Sequence, residues 1–228
     1  MSDRSATTDD RLLLCIDASS EQAGLGLFGR GHAAALVWRA GRAQTVALLA
    51  QIQHLLDLHG CAPADLDAVA VAAGPGTFNG LRVGMSVAKG LVLALDLPLV
   101  GVDTLSVAAL PWLDAGLPTI AAVAAGRGRL VWAEYRPGAG APTPAALPRN
   151  TAPDELVAAA HAASGRFVVT GELAPETAAA LAALDQTIVP PAPLRPRQPG
   201  ALAWLAGRRL ERGEADDPAL LEPRYLGR

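Results

Sequence analysis

Asp17 closes one apolar run, Leu12 to Ile16, and Gly74-Pro75-Gly76-Thr77-Phe78-Asn79-Gly80 closes another, Val69 to Ala72. In these two places residue type and spacing suit contact with a phosphate. A carboxylate at the end of a buried strand can hold a metal–phosphate pair. Glycines between a strand and a helix let backbone N–H groups and the positive end of the helix dipole face an anion. Gly74, Gly76 and Gly80 permit close backbone approach, and Pro75 stiffens the turn. Asp17, Gly74 and Gly76 are therefore the candidate nucleotide contacts. Both features also have a plainer use. An aspartate after a strand caps turns, and glycines punctuate strand-to-helix connections.

Other strings that resemble sites fail on context. Lys89, the sole lysine of the chain, sits inside a helical stretch, and no Gly-Lys-Ser/Thr ending makes the glycine turn a Walker loop. Gly24-Leu25-Gly26-Leu27-Phe28-Gly29 fits a dinucleotide fingerprint, but its glycines lie in or just after a strand and no helix follows. The histidines are His32, His54, His59 and His161; none has His-x-x-x-His spacing, and none joins Cys or acidic residues in a ligand motif. There is no Gly-x-Ser-x-Gly elbow. Arg127 and Arg129 flank a glycine in a hairpin turn, and Glu134 and Tyr135 end a strand. Nowhere do nucleophile, base and orienting group assemble, so no catalytic residue, metal or cofactor is assigned.

The elements that position these residues follow from periodicity. Leu12 to Ile16 reads as a buried central strand, with Ala23–Phe28 and Ala34–Trp38 as antiparallel neighbours. Thr45–Leu58 reads as a helix with Leu48, Leu49, Ile52, Leu55 and Leu56 on its apolar side, ended by Gly60. After the glycine turn, Leu81–Leu95 is a helix whose only polar side chains are Arg82, Ser86 and Lys89, on one narrow stripe. A helix apolar nearly all round is buried in a core or covered by another chain. Arg82, Val83, Ser86, Val87, Lys89 and Gly90 are therefore the candidate partner interface. Pro98–Val100 is a short strand and Thr104 to Leu113 a helix. The pattern then restarts with strands Thr119–Ala125 and Leu130–Tyr135. A loop at Pro137–Pro148, helix Asp154–His161, strand Phe167–Thr170, helix Ala174–Leu184, strand Thr187–Val189 and helix Gly200–Arg212 follow. This reads as an internally duplicated α/β fold: a tail at 1–10, a first lobe at 11–116 and a second, reduced lobe at 117–228.

Composition narrows the functional classes. The chain has 228 residues, 51% hydrophobic and 18% charged, enough for a sizeable core. A net charge of −3 leaves no nucleic-acid footprint by itself. Cys15 and Cys61 match neither a metal motif nor a disulfide framework, which suits a reducing compartment. The polar, acidic residues Met1 to Asp10 contain no apolar signal region, and Leu81–Leu95 is the longest apolar helix but short for a bilayer. A cytoplasmic protein without a membrane partner is expected.

Several blocks, in order, resemble the TsaB (YeaZ) family. Leu14-Cys15-Ile16-Asp17-Ala18-Ser19 resembles its opening strand and corner. Gly74-Pro75-Gly76-Thr77-Phe78-Asn79-Gly80-Leu81-Arg82-Val83-Gly84 is similar to its glycine signature. Ala88-Lys89-Gly90-Leu91, Gly101-Val102-Asp103-Thr104-Leu105, Val131-Trp132-Ala133-Glu134-Tyr135 and Glu222-Pro223-Arg224-Tyr225-Leu226 continue the likeness. The resemblance implies an actin-like, ribonuclease-H-type duplicated fold in two lobes. It implies a scaffold or activating role in synthesis of the threonylcarbamoyl modification of tRNA adenosine. The partners implied are a catalytic TsaD-type subunit, bound through first-lobe helices, a small TsaE-type ATPase, and tRNA indirectly; alone, the chain is expected to homodimerise. The catalytic relative holds a metal with His-x-x-x-His, and Thr104 and Ala108 stand at the matching positions here. Neither side chain replaces an imidazole ligand. On this view Asp17, Gly74 and Gly76 are vestigial nucleotide contacts. The chain departs from the family at Asn79, at Gly126-Arg127-Gly128, and at Gln44 where a histidine is common. The alternative is an actin-like-fold ATPase or kinase using Asp17 and the glycine turn.

Overall fold

The structure is a computed structural model that describes residues 10–39, 44–138 and 140–226. Most of the expected N-terminal tail lies outside the described residues. Strands β1 (Leu13–Asp17), β2 (Gln22–Gly29) and β3 (His32–Arg39) precede helix α1 (Gln44–Leu58). Next come β4 (Ala68–Gly74), α2 (Phe78–Leu95), β5 (Leu99–Asp103) and α3 (Thr104–Asp114). The second run is β6 (Thr119–Ala124), β7 (Leu130–Tyr135), β8 (Arg149–Thr151), α4 (Pro153–Ala162), β9 (Phe167–Gly171), α5 (Pro175–Ala182), β10 (Thr187–Ile188) and α6 (Pro199–Glu211).

The duplication expected from the sequence is explicit in the topology. One sheet has the order β3-β2-β1-β4-β5; the other, read in the same sense, is β8-β7-β6-β9-β10. In each, the first two strands pair antiparallel and the first pairs parallel with the fourth: Leu14 lies opposite Leu27 and Val69, and Ala121 opposite Ala133 and Thr170. The third strand of the second sheet, β8, follows the segment read as a loop, Pro137–Pro148, in residues to which the sequence reading assigned no element. It is short and polar, Arg-Asn-Thr, and is recruited by pairing with Leu130, Val131 and Trp132.

The described residues fall into two compact units. The first lies within 1–73, 78–102 and 198–223; the second within 74–77, 103–197 and 224–228. This differs from a division at 116. Helix α3 follows β5 in the chain but packs on β6, and α6 follows β10 but packs on β1 and β2. Packing places a helix with the sheet that buries its apolar face, and chain order alone does not reveal that sheet.

In the first unit, period-2 alternation sends Leu14 and Ile16 of β1 and Val69, Val71 and Ala73 of β4 into one core with α1 and α2. Leu48, Ile52, Leu55 and Leu56 are buried there, whereas Leu49 is 54% exposed, because its position falls off the buried face of α1. On the opposite face of the sheet, Leu13 meets Gly207 and Leu210 of α6. Gly26 of β2 permits that approach: a Cβ there would stand 2.8 Å from Pro199 Cβ. Residues beyond α6 return to the sheet edge. Asp216 N–H donates to Leu99 O, Gly101 N–H donates to the Asp216 carboxylate, and Arg209 donates to both Asp216 oxygens and to Gly101 O.

In the second unit one core lies under α4 and α5, around Trp132, Leu156, Val169 and Leu181. Another lies under α3, around Leu105, Ala109, Val123, Val131 and Tyr135. The turn from β6 to β7 holds Gly126, Arg127 and Gly128 at φ of 78°, 53° and 71°. Three left-handed residues in succession favour glycine at two of them, which accounts for that departure from the family pattern. A Gly26→Ala substitution should destabilise the protein by about 1–3 kcal/mol through overpacking against the Phe28 ring and Pro199 of α6. Chemical denaturation measures this, and an unchanged midpoint would contradict the packing.

Candidate functional site

The largest exposed feature among the candidates is the outer face of α2. It begins at Phe78, earlier than the glycines of the turn suggested, and so reaches 18 residues. By length and composition alone that passes as a membrane span, against the expectation that it is too short. In this fold one face packs into the core: Leu81, Gly84, Met85, Ala88 and Val92 are buried, and Gly84 lets Ala18 approach to 3.3 Å of a Cβ position. The opposite face carries Phe78, Arg82, Ser86, Gly90 and Leu93, spaced so that each lies about one turn from the next. Phe78 is 54% and Leu93 74% exposed. The Arg82 guanidinium lies 4.3 Å from the centre of the Phe78 ring. Of the six expected interface residues, Arg82, Ser86 and Gly90 are exposed. Val83, Val87 and Lys89 are half-buried, and Val83 and Val87 pack against the core of their own unit.

The glycine turn is tied down from within its own unit. Gly74 N–H donates to the buried Thr104 hydroxyl at 3.1 Å. A Cβ at Gly74, whose φ is 114°, would collide with the Arg224 carbonyl. The Gly74–Pro75 peptide bond is cis. Gly76 is half-buried. The corner behind the turn is a helix cap: Asp103 Oδ1 accepts from Ser106 N at 2.7 Å and from the Ser106 hydroxyl at 2.9 Å. Tyr135 Oη donates to the same oxygen at 3.3 Å. Burial and the neighbouring Asp103 charge push the Tyr135 pKa up, so the phenol stays protonated and keeps donating. Thr104 and Ala108, one turn apart on α3, are both buried.

Asp17 belongs to the other unit. It ends β1, is buried, and its Oδ1 accepts from Ser19 N at 2.9 Å and from the Ser19 hydroxyl at 2.6 Å. That is the geometry of an aspartate closing a turn. Cys15, on the same strand, is buried, and burial pushes its thiol pKa well up, which removes it as a nucleophile.

Sequence reading missed one cluster. His32 Nδ1 lies 3.3 Å from His59 Nδ1, and Cys61 Sγ lies 3.8 Å from His32 Nε2. Residues 27 and 29 positions apart meet because the β2–β3 turn lies beside the segment after α1, a proximity that no spacing rule signals. No group of three or more His, Cys, Asp or Glu side chains among the described residues is arranged to hold a metal ion.

Two five-stranded sheets of identical order, each with helices between its parallel strands, define the actin-like, duplicated α/β class. The ethanolamine utilization protein EutJ from Carboxydothermus hydrogenoformans shares the fold, with TM-score 0.50 and 14% identity over 84% of this chain and 89% of that one. YeaZ from Pseudomonas aeruginosa is more similar, with TM-score 0.77 and 25% identity over 95% of this chain and all of that one. The family model described as "TsaD: tRNA N6-adenosine threonylcarbamoyltransferase" matches residues 39–186. The tRNA threonylcarbamoyladenosine biosynthesis protein TsaB of Escherichia coli (strain K12) is 35% identical over 126 residues, 54% of each chain. The chain belongs to this family, within its TsaB (YeaZ) group. The matched segment spans about half the length of the curated TsaB relatives.

The tie between Gly74 and Thr104 gives a direct test. Thr104→Val keeps the shape but leaves a buried N–H without an acceptor, which costs about 1–3 kcal/mol. Thr104→Ser should restore most of that stability in a thermal melt. Equal stability of the Val and Ser variants would show that the bond contributes nothing.

Proposed function

We propose that this chain is the non-catalytic, activating subunit of a tRNA N6-threonylcarbamoyladenosine synthesis complex, and that it docks a TsaD-type catalytic subunit on the outer face of α2. The family supplies the pathway. The observation that carries the docking surface is Gly90. A glycine inside a helix costs about 1 kcal/mol relative to alanine. Gly84 has a reason within the monomer, the close approach of Ala18. Gly90 has none: it is exposed, and a Cβ there would meet nothing within 4 Å. Small residues on a helix let another helix come close. A partner helix packed over Gly90, with Phe78 and Leu93 as apolar flanks and Arg82 and Ser86 between them, accounts for the whole stripe.

A scaffold role also agrees with the chemistry of the corner. Thr104 and Ala108 offer no imidazole where the resemblance places the metal ligands of the catalytic relative, and the Thr104 hydroxyl is engaged by Gly74. The ATPase reading is weaker on the same grounds. The Asp17 carboxylate is engaged by Ser19, and the Gly74 N–H that would face a phosphate is engaged by Thr104. A TsaE-type ATPase joining the pair, indirect contact with tRNA, and homodimerisation of the isolated chain through the same stripe complete the proposal.

Co-purification with the TsaD-type subunit tests it. Because Val87 packs against its own core, a charge there would perturb folding as well as docking; Ser86→Glu is the cleaner probe. Ser86→Glu should change the stability of the isolated chain by no more than about 0.5 kcal/mol and abolish co-purification. A folded variant that still co-purifies fully would overturn the placement. Gly90→Ala should raise the stability of the isolated chain by about 1 kcal/mol, while Gly90→Leu should fold and lose the partner. A destabilised Gly90→Ala would mean that the monomer needs this glycine.

A further inference from the structure

The second unit contains an open cavity of about 500 Å³ that neither the scaffold role nor the glycine turn uses. It lies where β6 and β9 begin and β7 ends. That is the amino end of the parallel pair, whereas ligands of open α/β sheets gather at the carboxyl ends. Its volume falls in the range of small-molecule sites, about 300–1,000 Å³. Exposed Pro118 and Pro137 and half-buried Ala163 contribute apolar lining, over buried Ile120 and Phe167. Arg136, Arg166, Glu134 and Ser164 line it too, and all four are exposed.

The charges are the informative part. Some arginines of the second unit are engaged within it: Arg197 pairs with Glu172, Arg129 and Arg195 donate to backbone carbonyls, and Arg149 lies over the Trp132 ring. Arg136 and Arg166 have neither an acidic partner nor a hydrogen bond among the described residues, and Glu134 has no side-chain partner there either. Three charged groups with no partner among the described residues thus line one cavity and are free to meet a ligand. The wall that bears Arg166 is held in place. Gln186 Nε2 donates to Ala160 O and His161 O, both at 3.1 Å, and Phe167 N–H donates to Gln186 O. Those bonds also occupy carbonyls at the negative end of α4, which would otherwise repel an anion.

We infer that this cavity binds a nucleotide, its phosphate held by Arg136 and Arg166. Guanidinium groups match phosphate geometry in a bidentate manner. An apolar lining suits the flat body of a base, and the Glu134 carboxylate accepts from a ribose hydroxyl or a base amino group. The nucleotide is either free or one unit of an RNA strand; the chemistry of the site is the same for both. The inference goes beyond the scaffold role and does not rest on it, since partner docking is assigned to α2.

The test uses the full chain and two probes: adenosine monophosphate by calorimetry, and a fluorescent single-stranded RNA of about ten nucleotides by anisotropy. At least one probe should bind saturably, and the paired substitution Arg136→Ala with Arg166→Ala should weaken it at least about tenfold. Arg136→Lys with Arg166→Lys, which keeps the charge, should recover part of that loss. Binding of the mononucleotide identifies a free ligand; binding of RNA alone identifies a strand. Co-purification with the TsaD-type subunit should be unchanged in both variants, which separates this site from docking. If neither probe binds, or if the alanine variant binds like the parent, the inference is wrong.

Discussion

Helix α2 carries more apolar surface than the sheet beneath it covers. One side is committed: Gly84 lets Ala18 in, and Met85, Ala88 and Val92 join the core with β1 and β4. The other side leaves Phe78 and Leu93 in water. Full burial of a side chain of that size is worth about 1.5–3 kcal/mol, so a monomer forgoes a substantial fraction of the stability its own residues offer. Arg82, stacked on Phe78, covers only part of the deficit. Together with Gly90, where a Cβ would meet nothing within 4 Å, this supports the proposed docking face. The proposed function rests on this imbalance.

The glycine turn is fastened within its own unit. It has the order of a phosphate-binding loop, yet its first N–H bonds to Thr104 and its first glycine is packed against the backbone of Arg224. Asp103 caps α3 and accepts from Tyr135. Polar groups that could face a ligand in an actin-like fold are thus spent on holding their own unit together. That use of the polar groups is consistent with the proposed scaffold role.

Much of this was legible in the residues. The buried strands announced themselves as apolar runs between glycine, aspartate and proline, and the glycine turn with its apolar helix pointed to the family. The repeated order of elements suggested duplication, which the matching sheets display. Three features were not legible, each for a physical reason. Strand β8 is polar and exists only because β7 offers it hydrogen bonds. The assignment of α3 and α6 to units depends on which sheet buries them, which is a tertiary fact. The meeting of His32, His59 and Cys61, and the convergence of Arg136 and Arg166 on one cavity, join residues far apart in the chain. Val87 shows the finer limit: periodicity placed it on the helix surface, but half of it is claimed by the core.

The most direct measurement is reconstituted transfer of the threonylcarbamoyl group to tRNA with purified components. This chain alone should transfer none. The TsaD-type subunit should be slow alone and markedly faster with this chain, and the gain should vanish with Ser86→Glu. Transfer by this chain alone, or a TsaD-type subunit indifferent to its presence, would contradict the account.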